Sequence, residues 1–517
     1  MKARRLTLVI LLFCVGFSMT SLSAQEYLNG KLIDANVGDV IPFATIRIKN
    51  KTVGVISNDD GSFKIPVQFK EIGDTLEVSS LGYRSKEVLL STLKLDETNI
   101  ILLVPEIEKL NEVVVTSERN RASEGLRANE IVRKALEGIA ENFPHHPFSY
   151  VGYYRDYQVW GEDYVNLNEG VLSVYDQGFG YNDYKSTQGE LYAYKENNEF
   201  PRNLEAQRPY DDKNKRIGNA SLKGYGGNEF SILRAHDAIR NYNVRSYSYV
   251  QNFMQNFENN HRFIREADVS FDGEPLYALR ILTSKKEYKA EGKIYIFKKN
   301  FAIHRMEYAL FKVLPKKGSR LERKKPIFDV TVEYQEERGQ MYLNYISFNN
   351  TFSFVKESPF QIVQYLVDKK KRCLIVEFTN EPALPLGLRS SKYQVTYQGK
   401  RLNWDQIKIE GKQVLLYPKL TAGKTFEETF ISGKGDEQDY KFKIKTMYDI
   451  HGNKLHKREV ITANQLREFF VQELRFDHKV SEGAAFFDKD QPLSKAPISK
   501  QKANSYWMNT PLKKTTN

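Results

Sequence analysis

Cysteine is nearly missing from this chain: Cys14 and Cys373 are the two in 517 residues. Cys14 lies inside an apolar N-terminal run, so a chain cleaved beyond it keeps Cys373 alone and no internal disulfide can staple the fold. Stability must come from packed cores, which a chain of this length can supply over roughly two to four domains. Beyond the N-terminus there is no apolar run long enough to cross a membrane as a helix. The sequence has no H-E-x-x-H, no Gly-x-Ser-x-Gly elbow and no phosphate-cradling glycine loop. The usual signatures of zinc peptidases, serine hydrolases and nucleotide-binding enzymes are therefore missing.

What is present at the N-terminus sets an expected compartment. Lys2, Arg4 and Arg5 precede an apolar run from Leu6 to Phe17, and small residues follow to Ser21-Leu22-Ser23-Ala24. That is the pattern of a secretory signal peptide, with cleavage expected after Ala24; Phe13 stands where a lipobox needs a small residue. Removing residues 1–24 takes three basic and no acidic residues and lowers the formal charge from +12 to +9. The protein is expected to be exported, to the periplasm or the outer-membrane periphery. Nucleic acid is not an expected partner.

Residues 27–104 carry the sharpest local pattern. Ala44, Ile46 and Ile48 alternate with Thr45, Arg47 and Lys49, as in a half-buried strand. Asp60-Gly61 is a tight-turn signal between apolar runs, and Phe63, Ile65 and Val67 then alternate with Ser62 and Lys64. Asn58, Asp59 and Asp60 are too closely spaced for a calcium loop and read as the turn itself. Gly30 and Asp34, Ile41-Pro42-Phe43-Ala44, Ser57-Asn58-Asp59-Asp60-Gly61-Ser62-Phe63 and Leu81-Gly82-Tyr83 together resemble the carboxypeptidase-regulatory-like domain found at the front of many exported proteins of Bacteroidota. The resemblance implies a transthyretin-type seven-stranded sandwich. Asn58 departs from it, standing where that family usually has Asp.

Residues 106–125 read as a linker, within which Leu110–Thr116 resembles the segment joining this type of sandwich to the plug of TonB-dependent transporters. No recognisable plug follows, and the chain ends on Lys513-Lys514-Thr515-Thr516-Asn517 instead of a closing strand, so the transporter reading is set aside. A helix is expected over Arg127–Asn142, with Ala128, Ile131, Ala135 and Ile139 on one face and Pro144 stopping it. Another is expected near Phe230–Tyr242. An aromatic, strand-like stretch runs through Tyr150, Tyr153, Tyr154, Tyr157, Trp160 and Tyr164. Hairpins are expected from Gly292–Phe297 with Phe301–Lys312, and from Asp329–Gln335 with Met341–Phe348. This part resembles the half-barrel sheets of periplasmic lipoprotein carriers, which implies a concave sheet able to take an acyl chain or hydrophobic peptide.

On that resemblance, Tyr295, Phe297, Met306 and Tyr308 are the candidate ligand-facing residues; as aromatics at strand spacing they are equally the pattern of a core. His304-Arg305-Met306-Glu307 is an H-x-x-E, half of a zinc motif. In a strand, however, His304 shares a face with Met306 and Tyr308 while Glu307 faces the other way, so the pair does not converge on a metal. His145-His146 beside prolines reads as a loop. Two basic runs, Lys316–Lys325 and Lys369–Arg372, could meet an anionic surface or stand as solvated loops.

From Arg372 onward, alternation at Leu374, Val376 and Phe378 and at Tyr393, Val395 and Tyr397, with the turn Asp449-Ile450-His451-Gly452-Asn453, resembles a bacterial Ig-like module. Thr462 could cap a short helix to about Glu473, followed by a polar tail from Ser481. The fold class expected is mainly β and multidomain. It has a signal peptide 1–24, an N-terminal β-sandwich 25–105, and a linker 106–125. A central α+β half-barrel-like sheet with packed helices follows over 126–368. An Ig-like β-sandwich then covers 369–462, with a short element and tail over 463–517. No catalytic, metal or cofactor residue is assigned. The function expected is an envelope-associated, non-catalytic binding or scaffolding protein that docks through its sandwiches. The alternatives are a lipid or lipoprotein carrier and a metallopeptidase-type hydrolase. Residues 25–105 expressed alone should fold as a cooperative β-sandwich, which far-ultraviolet circular dichroism would check; a disordered spectrum would count against the boundary.

Overall fold

The structure, a computed structural model, describes residues 26–106, 125–160, 163–218, 222–245, 250–284, 287–314, 323–421, 423–426, 440–477, 480, 483–499 and 506–511. The signal-like segment, nearly all of the linker with Leu110–Thr116, the basic residues Lys316 to Arg320 and the insert 433–436 lie outside them.

The N-terminal unit is a two-sheet sandwich. Strands β1 (Tyr27–Asp34), β4 (Ser62–Pro66) and β7 (Thr98–Leu103) form one sheet in the order β4-β1-β7. Strands β2 (Thr45–Ile48), β3 (Gly54–Ile56), β5 (Thr75–Ser79) and β6 (Lys86–Leu89) form the other in the order β3-β2-β5-β6. The turn expected at Asp60-Gly61 is present: Gly61 has φ +75° and Asp60 Oδ1 accepts from the Ser62 amide at 2.9 Å. Leu28, Leu32, Ile46, Ile65 and Val78 fill the core. One further member comes from the far end of the chain. Trp507 packs into the same cluster, 5.9 Å from the Phe69 ring, and its indole N–H donates to the Lys64 carbonyl at 2.8 Å.

The central unit is a 12-stranded sheet. Its main path is β10 (Gln188–Glu196), β9 (Asp163–Asp176), β8 (Phe148–Trp160), β26 (Glu459–Arg475), β18 (Gln340–Lys356), β17 (Arg323–Glu337), β16 (Ile303–Leu314), β15 (Tyr288–Phe297), β14 (Glu274–Ser284) and β12 (Arg262–Arg265); off it, β11 (Lys215–Ile217) pairs with β18 and β13 (Val269–Phe271) with β14. Both expected hairpins are formed, as β15–β16 and β17–β18. Helix α1 (Ala128–Glu137) buries Ile131, Val132, Ala135 and Leu136; α2 (Glu229–Ala235) and α3 (Phe253–Asn260) join it in one large core with the sheet. Asn228 caps α2 by accepting from the Ser231 amide at 2.8 Å, and the helix is shorter than the expected Phe230–Tyr242 because the chain turns at His236. No described helix is long and apolar enough to cross a membrane.

The expected helix over Thr462–Glu473 is overturned: these residues lie in strand β26, between β8 and β18. Apolar residues at Leu466, Phe469, Phe470 and Leu474 mimic helical spacing. The strand is buried on both faces from Arg467 to Gln472, so the polar–apolar alternation that marks a half-buried strand is lost. The third unit is therefore an insertion between two paired strands of the central sheet. It has its own sheets, β19-β20-β24-β23 and β22-β21-β25, where β19 is Ile362–Asp368, β20 Cys373–Phe378, β21 Tyr393–Tyr397, β22 Lys400–Arg401, β23 Trp404–Glu410, β24 Gln413–Pro418 and β25 Tyr440–Ile444. Leu374, Val376, Phe378, Val395 and Leu416 pack between them. Asp449 makes the expected turn, accepting from the His451 and Asn453 amides at 3.0 and 2.7 Å. The tail from Ser481 is also more structured than expected: Phe487, Leu493, Tyr506 and Trp507 are buried.

The helices cover one face of the central sheet and the N-terminal sandwich covers the other. Phe43 stacks on Tyr345 at 5.3 Å, and Ile56 packs with Tyr153, Tyr345 and Phe470. Arg47 reaches Glu337 at 2.8 Å and Asn344 at 3.2 Å. Beneath them, fully buried Arg155 donates to Glu468 at 2.5 Å and to Asn58 at 2.5 Å. Glu468 also accepts from the Tyr157 and Tyr345 hydroxyls at 3.0 and 2.9 Å.

Removing one member of a buried ion pair strands the other. Glu468→Gln is expected to cost about 3–5 kcal/mol in urea unfolding, and the double variant Arg155→Met/Glu468→Leu to recover most of it; equal losses in both would refute the pairing as the cause. Trp507→Ala should cost about 3–5 kcal/mol, the range for emptying an aromatic core site. It should lower the transition that reports the N-terminal sandwich, and the fragment 25–105, lacking that ring, should melt below the same domain in the full chain.

Candidate functional site

On the helix-covered face, register places Tyr154 opposite Phe469, Asp156 opposite Arg467 and Gln158 opposite Gln465. The Tyr154 end is apolar, with Phe230 of α2 at 5.9 Å edge-on. Toward Gln158 the packing gives way to a cavity of about 510 Å³. Its walls come from distant parts of the chain: Asp156 and Gln158 on β8, Asn166 and Asn168 on β9, Tyr194 on β10, and the loop through Gln207 and Tyr210. Glu229 at the start of α2 and the turn Pro492-Leu493-Ser494 complete it. Gly226 and Gly227 precede α2 with φ of +53° and +81°. A Cβ on Gly226 would lie 1.5 Å from the Asp490 carbonyl oxygen, so only glycine lets the 488–494 segment close that side.

The charges in this cavity are mostly matched. Arg467 donates to Glu229 and, at 2.5 Å, to the Tyr210 hydroxyl, which in turn donates to Glu229. Lys215 donates to the carbonyls of Ala206 and Arg208 at 3.3 and 2.9 Å and sits 4.7 Å from the Tyr210 ring centre. Burial outweighs the nearby carboxylates and lowers its pKa to about 8. Asp156 accepts from Tyr154 at 2.9 Å and Asn168 at 3.0 Å. Burial, reinforced by the charge of Glu229, raises its pKa to about 7. Gln158 donates to Gln465 and accepts from Asn166, fixing both amides.

The residues singled out from the sequence lie elsewhere. Tyr295, Phe297, Met306 and Tyr308 are 8, 4, 0 and 1 % exposed and belong to the large central core. Nor do they share one surface. Tyr295 is paired with Arg305, whereas Met306 is paired with Ile294 and Tyr308 with Gly292, and directly opposed residues project to the same side of a sheet. Tyr308 meets the ring of His261 at 2.8 Å. His304 is fully buried against Phe271 and Phe297, its Nδ1 on the Tyr334 carbonyl at 2.8 Å, while Glu307 accepts from Arg305 at 2.9 Å. His145 and His146 are exposed, as are Lys369 to Arg372. Sequence reading missed the cavity residues because they are dispersed from Tyr154 to Ser494. The readable trace was Tyr154-x-Asp156-x-Gln158, polar groups carried onto the face of an aromatic strand, and Gly226-Gly227 ahead of the Asn228 cap.

Residues 28–115 match the family model of the CarboxypepD_reg-like domain, as the sequence motifs anticipated. A search among curated proteins finds no match. Similar solved structures include a LolA superfamily protein from Nitrosomonas europaea, at 13 % identity over 44 % of this chain and 86 % of that one, TM-score 0.19. A putative outer membrane lipoprotein-sorting protein domain from Vibrio parahaemolyticus aligns at 12 % identity over 43 % and 86 %, TM-score 0.18. A DUF1329 family protein from Desulfovibrio piger aligns at 8 % identity over 44 % and 87 %, TM-score 0.22. Similarity at this level assigns no function to the chain.

Because the folded state holds Asp156 protonated well above its ordinary 3.8, native protein binds the proton more tightly than unfolded chain, and this group's contribution to stability falls as pH rises from about 4 through about 7. Asp156→Asn, which cannot ionise, should therefore gain on the wild type between about pH 5 and pH 8 in urea unfolding. A difference independent of pH would show that Asp156 is ionised in the folded protein across that window.

Proposed function

We propose that this is an exported, envelope-associated binding protein, non-catalytic, that holds a small polar ligand in the cavity between β8–β10 and the start of α2. The observation that carries this reading is the cavity. Its volume of about 510 Å³ is within the usual range for ligand sites, and its polar groups are fixed in place by one another instead of by solvent. The N-terminal sandwich has its contact surface committed to the chain's own sheet through Phe43, Arg47, Ile56 and Asn58, so it braces the binding unit. The inserted third unit joins the sheet through the ends of β18 and β26 and is the module free to dock on other envelope components.

In the carrier reading, an acyl chain would lie on the sheet face that carries Met306 and Tyr308. Those side chains are packed into the large core, and an acyl chain in the polar cavity would cover the Tyr194 and Ser494 hydroxyls and the Gln207 amide without returning a hydrogen bond. Native mass spectrometry of the full chain purified from its own envelope tests the two readings. The expected result is a polar adduct that disappears in Ser494→Trp, a substitution at an exposed position on the cavity rim. An acyl-bearing adduct that survives Ser494→Trp would overturn the proposal in favour of a carrier.

A further inference from the structure

We infer that the ligand of this cavity is a neutral polyhydroxylated molecule, a saccharide, an assignment that rests on the polar-cavity reading and narrows it. The argument is a balance of charge and of spare hydrogen-bonding capacity. Glu229 is closed by Arg467 and Tyr210, Glu196 lies 3.8 Å from Arg202, and Arg208 lies 3.6 Å from Asp212. Lys215 gives two of its three N–H groups to backbone carbonyls and lies 4.7 and 4.8 Å from the Tyr210 and Phe352 ring centres. Two lining carboxylates have no ion pair among the described residues: Asp211, exposed at the rim, and buried Asp156, whose oxygens accept from Tyr154 and Asn168.

An anionic ligand would thus meet four lining carboxylates and, among the described residues, no unpartnered cation, whereas a cationic one would find inside the cavity only Asp156, whose oxygens are already taken by Tyr154 and Asn168. Inside the rim marked by Asp211, the lining groups with capacity left are neutral. The Tyr194 hydroxyl, the Gln207 amide and the Ser494 hydroxyl line the cavity without a hydrogen-bond partner among the described residues. The amides of Gln158 and Asn166 lie alongside, held by each other and by Gln465 and Asn203. Fixed amides and hydroxyls beside a half-buried tyrosine ring suit a ligand with hydroxyl groups at its edges and C–H groups on its faces. Each hydroxyl both donates and accepts, and the ring gives the apolar face a partner without demanding charge.

Isothermal titration of the full-length mature protein at pH 7 tests this, with maltotetraose, cellotetraose, xylotetraose and chitotetraose as neutral probes and glutamate, spermidine and inorganic phosphate as charged ones. The expected result is binding of at least one neutral probe, abolished by Ser494→Trp. Tyr194→Phe, which keeps the ring and removes the hydroxyl, should weaken it by roughly threefold to tenfold, the loss of one hydrogen bond. Unchanged melting temperatures in both variants separate loss of binding from loss of fold. A charged probe that binds, is blocked by Ser494→Trp and has no saccharide counterpart would overturn the inference while leaving the polar-cavity reading intact. If no probe binds, or binding ignores Ser494→Trp, both fall.

Discussion

Strand β26 is the member on which the rest of the structure depends. It enters the central sheet between β8 and β18, the first and last long strands of the unit it joins, and it is covered on both faces. Successive side chains in a strand point to opposite sides. Arg467 therefore projects to the helix side, where it fixes Glu229 and Tyr210 at the cavity, and Glu468 projects to the sandwich side, where it holds Arg155. Two consecutive residues carry the two polar anchors of the protein, one on each face. Any slip of register by one residue would exchange them and leave both charges buried without partners.

The topology follows from that strand. Because β18 and β26 are neighbours, everything between them is an insertion hung from the sheet, and the third unit keeps a separate core. Once past β26, the chain runs back along the sheet. Leu493 and its neighbours wall the cavity, and Trp507 completes the core of the sandwich with which the described chain begins. Asn509 adds to the closure by accepting from the Lys64 amide at 2.9 Å and donating to the Ile56 carbonyl at 2.9 Å. The same C-terminal segment thus serves both faces, the cavity with one stretch and the sandwich junction with the next.

What the sequence made legible was local. The N-terminal sandwich could be read because its turns and alternation are written within short windows, at Asp60-Gly61 and Ala44–Ile48, and the hairpins of β15 to β18 for the same reason. Helix α1 was readable from one apolar stripe. The features that failed are those whose partners are hundreds of residues away. Strand β26 carries Arg467 and Glu468 inside, paired to Glu229 and Arg155, and a buried polar residue looks like an exposed one until its partner is known. Tyr295 and Met306 looked like one surface because the irregular register beside Tyr295 and the helices behind Met306 are not visible in spacing. Trp507 stands in a stretch that reads as a polar tail, and nothing in its spacing says which core it fills.

Asn58 shows the constraint acting on a single atom. The position faces Arg155, and its Oδ1 accepts from that guanidinium while its amide nitrogen donates to Ser62 Oγ at 3.0 Å. Arg155 already has a full counter-charge in Glu468 at 2.5 Å, so the site is neutral as it stands. The Asp usual in the family would add a second carboxylate to a site with one cation, in a place too buried for water to screen it, and would lose the donor to Ser62. Asn keeps the acceptor and drops the charge. The departure from the family pattern is what this interface requires once Glu468 is present. The cavity on the opposite face follows a related rule: Arg467 is matched by Glu229, while Asp156 and Lys215 are held by neutral groups of the chain, and the unpartnered groups inside are hydroxyls and an amide.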